Sequence, residues 1–146
     1  MVHLCREEKN VVYLVTAVDR ATRCILSWAV LAQRSVAPMQ AVIDRAWGAK
    51  HYYSDNFSTY ATLVYPEGAT YHAMLDKSQT YTVESVNADL RHFLARLARH
   101  SRCFSRRLAA LERALRLFVH YFNLQQLYRH AFPRYPRPLS QFVSIL

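Results

Sequence analysis

Glycine is almost missing from this chain: Gly48 and Gly68 are the only two in 146 residues. With apolar residues at 52%, that scarcity excludes collagen-like and low-complexity chains, and the length fits one domain with a real core. Cysteine is also sparse. Cys5, Cys24 and Cys103 lie far apart in no C-x-x-C pair. They read as free or buried thiols in a reducing compartment, which argues against a disulfide framework or a zinc site. No apolar run reaches the eighteen or so residues of a membrane span, and no secretory pattern opens the chain, so the expected location is the cytoplasm. Internal repeats are absent. Acidic residues are the last deficit. Between Arg91 and Arg137 there are eleven arginines and one acid, Glu112, while the formal charge of the chain is +9. A surface of that kind expects a polyanionic partner, nucleic acid or an acidic membrane.

What is present is hydrophobic patterning. Residues 11–18, V-V-Y-L-V-T-A-V, are β-branched and aromatic and predict a buried strand. D-R-A-T-R at 19–23 predicts a hairpin turn, and C-I-L-S-W-A-V-L a second strand. Ser35 and Pro38 mark a helix start, with apolar spacing that carries the helix to about Gly48. H-Y-Y-S-D at 51–55 predicts a short strand ending in an acid. N-F-S-T-Y-A-T-L-V predicts a short helix, Pro66 to Gly68 a turn, and A-T-Y-H-A-M-L another strand. From Thr82 a helical stripe runs through Val83, Val86, Leu90, Phe93, Leu94 and Leu97. After a break near residues 101–105, a second helix spans about 107–130, with Leu108, Leu111, Leu115, Phe118, Val119, Phe122 and Leu127 facing inward. Pro133 begins an extended arm, so residues 1–132 read as the domain and 133–146 as a tail. The order β-β-α-β-α-β-α-α predicts an α/β layer fold with the hairpin antiparallel in a mixed sheet.

Few acids stand where chemistry could use them. Asp55 ends a strand, a position at the mouth of an open α/β sheet. Glu84 opens the first long helix. On a helical wheel Glu84, Arg91 and Arg102 lie within roughly 20° of one another, Asn87 and Arg99 within about 60°, and the apolar stripe about 130° away. Carboxylates beside a track of guanidiniums suit phosphodiester chemistry, in which acids hold divalent cations and arginines hold phosphates. Bland readings remain open at this point. The macrodipole favours an acid in the first turn of any helix, and Asp after a strand is a common turn residue. Asp19 reads as a hairpin-turn residue, and the seven histidines show no metal-ligand spacing.

Three segments also carry a resemblance. H-Y-Y-S-D-N-F-S-T-Y, then Q-T-Y-T-V-E-S-V-N-A-D-L-R-H-F-L-A-R-L-A-R-H-S-R-C-F-S-R, then L-F-V-H-Y-F-N resemble the catalytic half of insertion sequence 1 family transposases. The similarity runs from about residue 11 to 142, and the block 79–106 is its most specific part. It implies a ribonuclease H-like fold, an α/β mixed sheet with flanking helices and long C-terminal helices. It also implies a D-D-E triad holding two Mg²⁺ ions, bacterial DNA transposition, and copies of the chain assembled on DNA without a membrane. Asp55 corresponds to the second triad acid and Glu84 to the third, both as metal ligands. Asn87 and Arg91 correspond to polar positions on the same helix edge, and Arg99, Arg102, Arg106 and Arg107 continue the DNA-contacting track. The first triad acid has no counterpart, because the residues before Val11 align just beyond it. Asp19 lies in the turn, where the family has an additional aspartate. The resemblance therefore implies a first strand represented only by its end, no upstream DNA-recognition segment, and catalysis that is absent or very weak. Other functions stay open beside it: a non-catalytic DNA-binding product that inhibits transposition, or a basic structural protein that binds RNA or a protein partner.

Overall fold

The computed structural model describes residues 12–46, 48–74, 80–94, 97 and 107–134, together with the backbone of residues 2–4. Its order is β1 (Val2–Leu4), β2 (Val12–Val18), β3 (Ile25–Leu31), α1 (Val36–Arg45), β4 (His51–Asp55), α2 (Ser58–Ala61), β5 (Thr70–Met74), α3 (Tyr81–Phe93) and α4 (Leu108–Ala131). The fold is mixed α/β. Among the described residues the strands form two sheets, an antiparallel β1-β2-β3 and a parallel β4-β5. β1 is three residues long and pairs with β2. The predicted break at 101–105 and the arm beyond Arg134 lie outside the described residues.

The β2–β3 hairpin organises everything else because both its faces are apolar. Cross-strand partners Leu14 and Val30, Val18 and Ile25, Thr16 and Trp28 share one face. There Leu14, Ile25 and Val30 join Val86, Leu90 and Leu97 and, from α4, Leu111, Leu115 and Phe122. Val15 and Leu31 face the opposite way and meet Met39 and Val42 of α1 and Leu63. Alternation of period two thus sends successive residues into two different cores. The register shifts between Ala17 and Val18, which pair with Ser27 and Ile25; Leu26 is the extra residue of this bulge and is 39% exposed.

Local chemistry sets the joints. Asp19 N–H donates to the Cys24 carbonyl and Arg23 N–H to the Asp19 carbonyl, both at 2.9 Å, closing the hairpin turn. Arg23 sits at φ 62°, a left-handed conformation that usually falls to glycine. Its side chain supplies the reason for an arginine there: the guanidinium donates to Ser85 Oγ at 2.8 Å and to Asp89 at 3.3 Å, tying the turn to α3. Gly68, at φ 77°, takes the position that a Pro66–Ala69 turn needs, with Ala69 N–H donating to the Pro66 carbonyl at 3.0 Å. Pro38 lies in the first turn of α1, where a missing N–H is harmless. That helix stops at Arg45, before Gly48. The Arg45 side chain turns back to its own helix, with Nε donating to the Ala41 carbonyl, and on to the Trp28 carbonyl of β3.

The inward stripes depart from the sequence expectation at their ends. Phe93 is 64% exposed, Leu108 48% and Leu127 50%, whereas Thr82, Asn87 and Gln126 are buried. Phe93 and Leu108 are terminal helix residues, beyond the reach of the hairpin, and the polar residues are drawn in by hydrogen bonding or by position on the wheel. Asn123 of α4 shows the effect most clearly. Its side-chain amide accepts from Ile25 N–H at 2.8 Å and donates to the Ile25 carbonyl at 2.9 Å, imitating a neighbouring strand. Asn123→Ala should strand both backbone groups of a buried residue and cost about 2–4 kcal/mol in urea unfolding. Gln125→Ala on the exposed side of the same helix should cost far less.

Candidate nucleic-acid interface and acidic pair

Asp55 is exposed at the C-terminal end of β4. Its negative charge reaches Tyr60. Burial first, and Asp55 second, push that phenol up to about 12, with Arg34 opposing them. Arg34 itself lies over the Phe57 ring at 3.9 Å and the Tyr13 ring at 4.7 Å, a cation–π clamp between β2 and the entry to α2. The acid therefore emerges from an aromatic bed that keeps its tyrosines neutral.

Glu84 is exposed in the first turn of α3. Arg91, two turns on, is half-buried in the last turn. Asn87 does not share their solvent edge. It is 2% exposed, and its Oδ1 accepts from the Thr16 hydroxyl of β2 at 3.3 Å. Since α3 must seat Val86 and Leu90 on the hairpin, the neighbouring residue is carried under the helix. Asn87 thus joins helix to strand, and that burial removes it from the set of phosphate contacts. Arg107 is exposed at the residue preceding α4. Arg99, Arg102 and Arg106 lie outside the described residues. Further along, Arg113, Arg116 and Arg129 are exposed on α4 and extend the positive surface.

The turn of residues 19–23 is touched from both acid-bearing elements. Arg20 stacks its guanidinium over the Tyr53 ring at 5.3 Å, two residues before Asp55. Arg23 binds Ser85 and Asp89, the first of them adjacent to Glu84. Asp19 takes no part in that junction. Its carboxylate accepts from the Thr22 hydroxyl at 2.5 Å and the Thr22 N–H at 2.9 Å. The hydroxyl bond is the main reason its pKa falls below the usual 3.8; partial burial opposes, and backbone N–H groups and His130 assist.

Asp55 and Glu84 offer hard oxygen donors of the kind Mg²⁺ takes. They do not make a complete set. Among the described residues no three His, Cys, Asp or Glu side chains are grouped to hold a metal ion, so no reaction step is derived through one. A cleft of about 520 Å³ lies elsewhere, between β3 and α4, lined by Trp28, Arg45, Glu112, Arg116 and Asn123.

One feature escaped the sequence reading. On the face of the β4–β5 pair that carries Asp55, His51, Tyr53 and His72 form a run of rings, with Tyr53 and His72 stacked at 5.1 Å and His51 and His72 at 6.0 Å. Thr70 links the two histidines, its hydroxyl 2.7 Å from His51 Nδ1 and 3.0 Å from His72 Nε2. Ring faces flanked by Arg20 are the surface type on which unpaired bases stack. The signal was present as alternate aromatic positions in H-Y-Y and T-Y-H, which need the parallel register to come together.

No protein-family model matches the chain, and no curated protein or solved structure matches it. Among the described residues no helix is long and apolar enough to cross a membrane.

The Asp19 turn has a pH signature. A carboxyl whose folded pKa is depressed stabilises the protein above its unfolded value and loses that contribution as pH falls through the folded one. Asp19→Ala should cost about 1 kcal/mol at neutral pH. The gap in urea midpoint between it and the wild type should hold down to the ordinary carboxyl value of 3.8 and close below it.

Proposed function

We propose that this chain is the catalytic half of an insertion sequence 1 family DNA transposase, built on a ribonuclease H-like sheet and acting in DNA strand cleavage and transfer. The observation that carries the reading is the run at 79–106, with H-Y-Y-S-D-N-F-S-T-Y before it and L-F-V-H-Y-F-N after it. The element order supports it. An antiparallel hairpin comes first, Asp55 ends the first strand of a parallel pair, and Glu84 opens the helix after the second. Mg²⁺, which the resemblance implies, would supply Lewis-acid activation of the scissile phosphate when held there. Asp55 and Glu84 are the carboxylates on the metal side, while Arg91 and Arg107, with Arg99, Arg102 and Arg106 by sequence, hold flanking phosphates by charge. Asn87 acts one step back, fixing α3 to β2 through Thr16 and thereby the direction of Glu84.

A second reading is a DNA-binding product that does not cut and restrains transposition. It is favoured by one observation: the carboxylate of Asp19, a further acid on the hairpin turn, is already engaged by Thr22. An assay of the whole chain on labelled duplex ends with Mg²⁺ separates the two. The first reading expects strand cleavage or transfer that Asp55→Ala and Glu84→Ala each abolish without loss of fold. Tight DNA binding with no cleavage selects the second reading. No binding to DNA sinks both.

The basic track is tested separately. Arg91→Ala and Arg107→Ala should each reduce the slope of log affinity against log salt by about one, uniformly across DNA sequences. An unchanged slope would remove that residue from the interface.

A further inference from the structure

Both faces of the β4–β5 pair are aromatic, and packing accounts for one of them. Tyr52 and Tyr71, partners in the register, each lie against Tyr65 with ring centroids 4.9 Å apart. The opposite face carries His51 and Tyr53 of β4 and Thr70 and His72 of β5. His51, Thr70 and His72 are exposed there, and Tyr53 is half-buried. These rings are ordered. Tyr53 and His72 stand nearly parallel, with planes 19° apart and centroids 5.1 Å apart, close to the spacing of the strands themselves. Thr70 holds both imidazoles. Its hydroxyl lies 2.7 Å from His51 Nδ1, 3.0 Å from His72 Nε2 and 3.3 Å from the Lys50 carbonyl. With one proton to give, it must accept from at least one ring, and that ring, when neutral, keeps its second nitrogen as an acceptor.

We infer that this face binds one unpaired nucleobase of a DNA strand, which stacks on His72 as the next member of the row. The inference rests on the reading of the chain as a DNA-binding protein and names the part of the strand that this face takes. Shape comes first. The row from Tyr53 to His72 runs across the strands toward β5, a margin of its sheet among the described residues, so a planar group laid on His72 continues it. Every base has a π-face, and stacking on an aromatic side chain strengthens binding by about tenfold per base. Charge agrees. Exposed Arg20, its guanidinium 5.3 Å from the Tyr53 ring centre, and exposed Lys50, next to His51, provide positive charge for the phosphates of the same strand. An acceptor nitrogen on the rings suits the amino groups that adenine, cytosine and guanine bare when unpaired. Because Thr70 orients the rings before the base arrives, little freedom is lost on binding. Asp55 is two residues beyond Tyr53, about 7 Å along β4. That is the length of about two stacked nucleotides, so the gripped base belongs within a few nucleotides of the acid.

Fluorescence anisotropy of the full chain tests this with three labelled DNAs, each variant's folding being checked by circular dichroism. One is a blunt duplex, the second adds a short unpaired tail, and the third builds that tail from abasic sugars, keeping its phosphates without its bases. The wild type should bind the tailed duplex about tenfold more tightly than the abasic-tailed one. His72→Ala should erase that difference and bind the blunt duplex as the wild type does. His72→Phe, which keeps a ring and loses the nitrogens, should retain most of the difference. A wild type indifferent to the bases of the tail overturns the inference. So does a preference that survives His72→Ala, one that His72→Phe loses as fully as alanine does, or blunt-duplex affinity that falls along with it. In each of these cases binding to the blunt duplex leaves the DNA-binding reading standing; failure to bind any of the three DNAs overturns both.

Discussion

The residues of β2 and of most of β3 are committed to one of two apolar layers, and this double burial dictates where the helices go. Leu14, Val18, Ile25 and Val30 need a cover on one side, which α3 and α4 supply. Val15 and Leu31 need one on the other, which α1 and the segment around Leu63 supply. Each core lacks one wall without the hairpin between them. Two antiparallel strands alone are marginal in water, so the hairpin in turn depends on its two covers. The polar ties described above sit at the rims of these cores, where they fix angle and register: Thr16 to Asn87, Arg23 to Ser85 and Asp89, Asn123 to Ile25.

Much of this was legible in the residues. Strand and helix bounds fell within a few positions of expectation because β-branched runs, Pro38, Gly68 and the 3.6 period are local signals. The pairing of strands was less so. Nothing local reveals that β4 pairs with β5 in a sheet separate from the hairpin. Helical wheels gave the faces but not their width. Asn87 lies about 60° from Glu84 on the wheel, close enough to be grouped with it, yet it falls on the core side once Val86 and Leu90 are seated. Asn123 and Arg23 act through contacts nearly a hundred and more than sixty residues away in sequence, which no short-range pattern encodes.

The candidate site was legible as a set of residues and only partly as an arrangement. Asp55 and Glu84 both lie exposed at element ends, as expected, and the turn of residues 19–23 reaches toward each through Arg20 and Arg23. That turn thus touches both acid-bearing elements, and its Arg23, which reaches α3, holds a left-handed backbone conformation. Asp19 remains a turn residue because its oxygens are satisfied locally. The rings of His51, Tyr53 and His72 join the acid's side of the β4–β5 pair to the basic side chains, so charge and stacking surface occur together there.

The amide of Asn123 and the guanidinium of Arg45 both end on the outer edge of β3, at Ile25 and Trp28, with the Leu26 bulge between them. An unprotected strand margin recruits strands from other molecules and seeds aggregates. Here the template is interrupted: two of its hydrogen-bonding positions are taken by side chains, and the bulge spoils the spacing that an incoming strand would have to match. A chain with so many apolar and aromatic residues is thereby guarded against fibrous growth along this margin, by groups that stand in for a neighbouring strand.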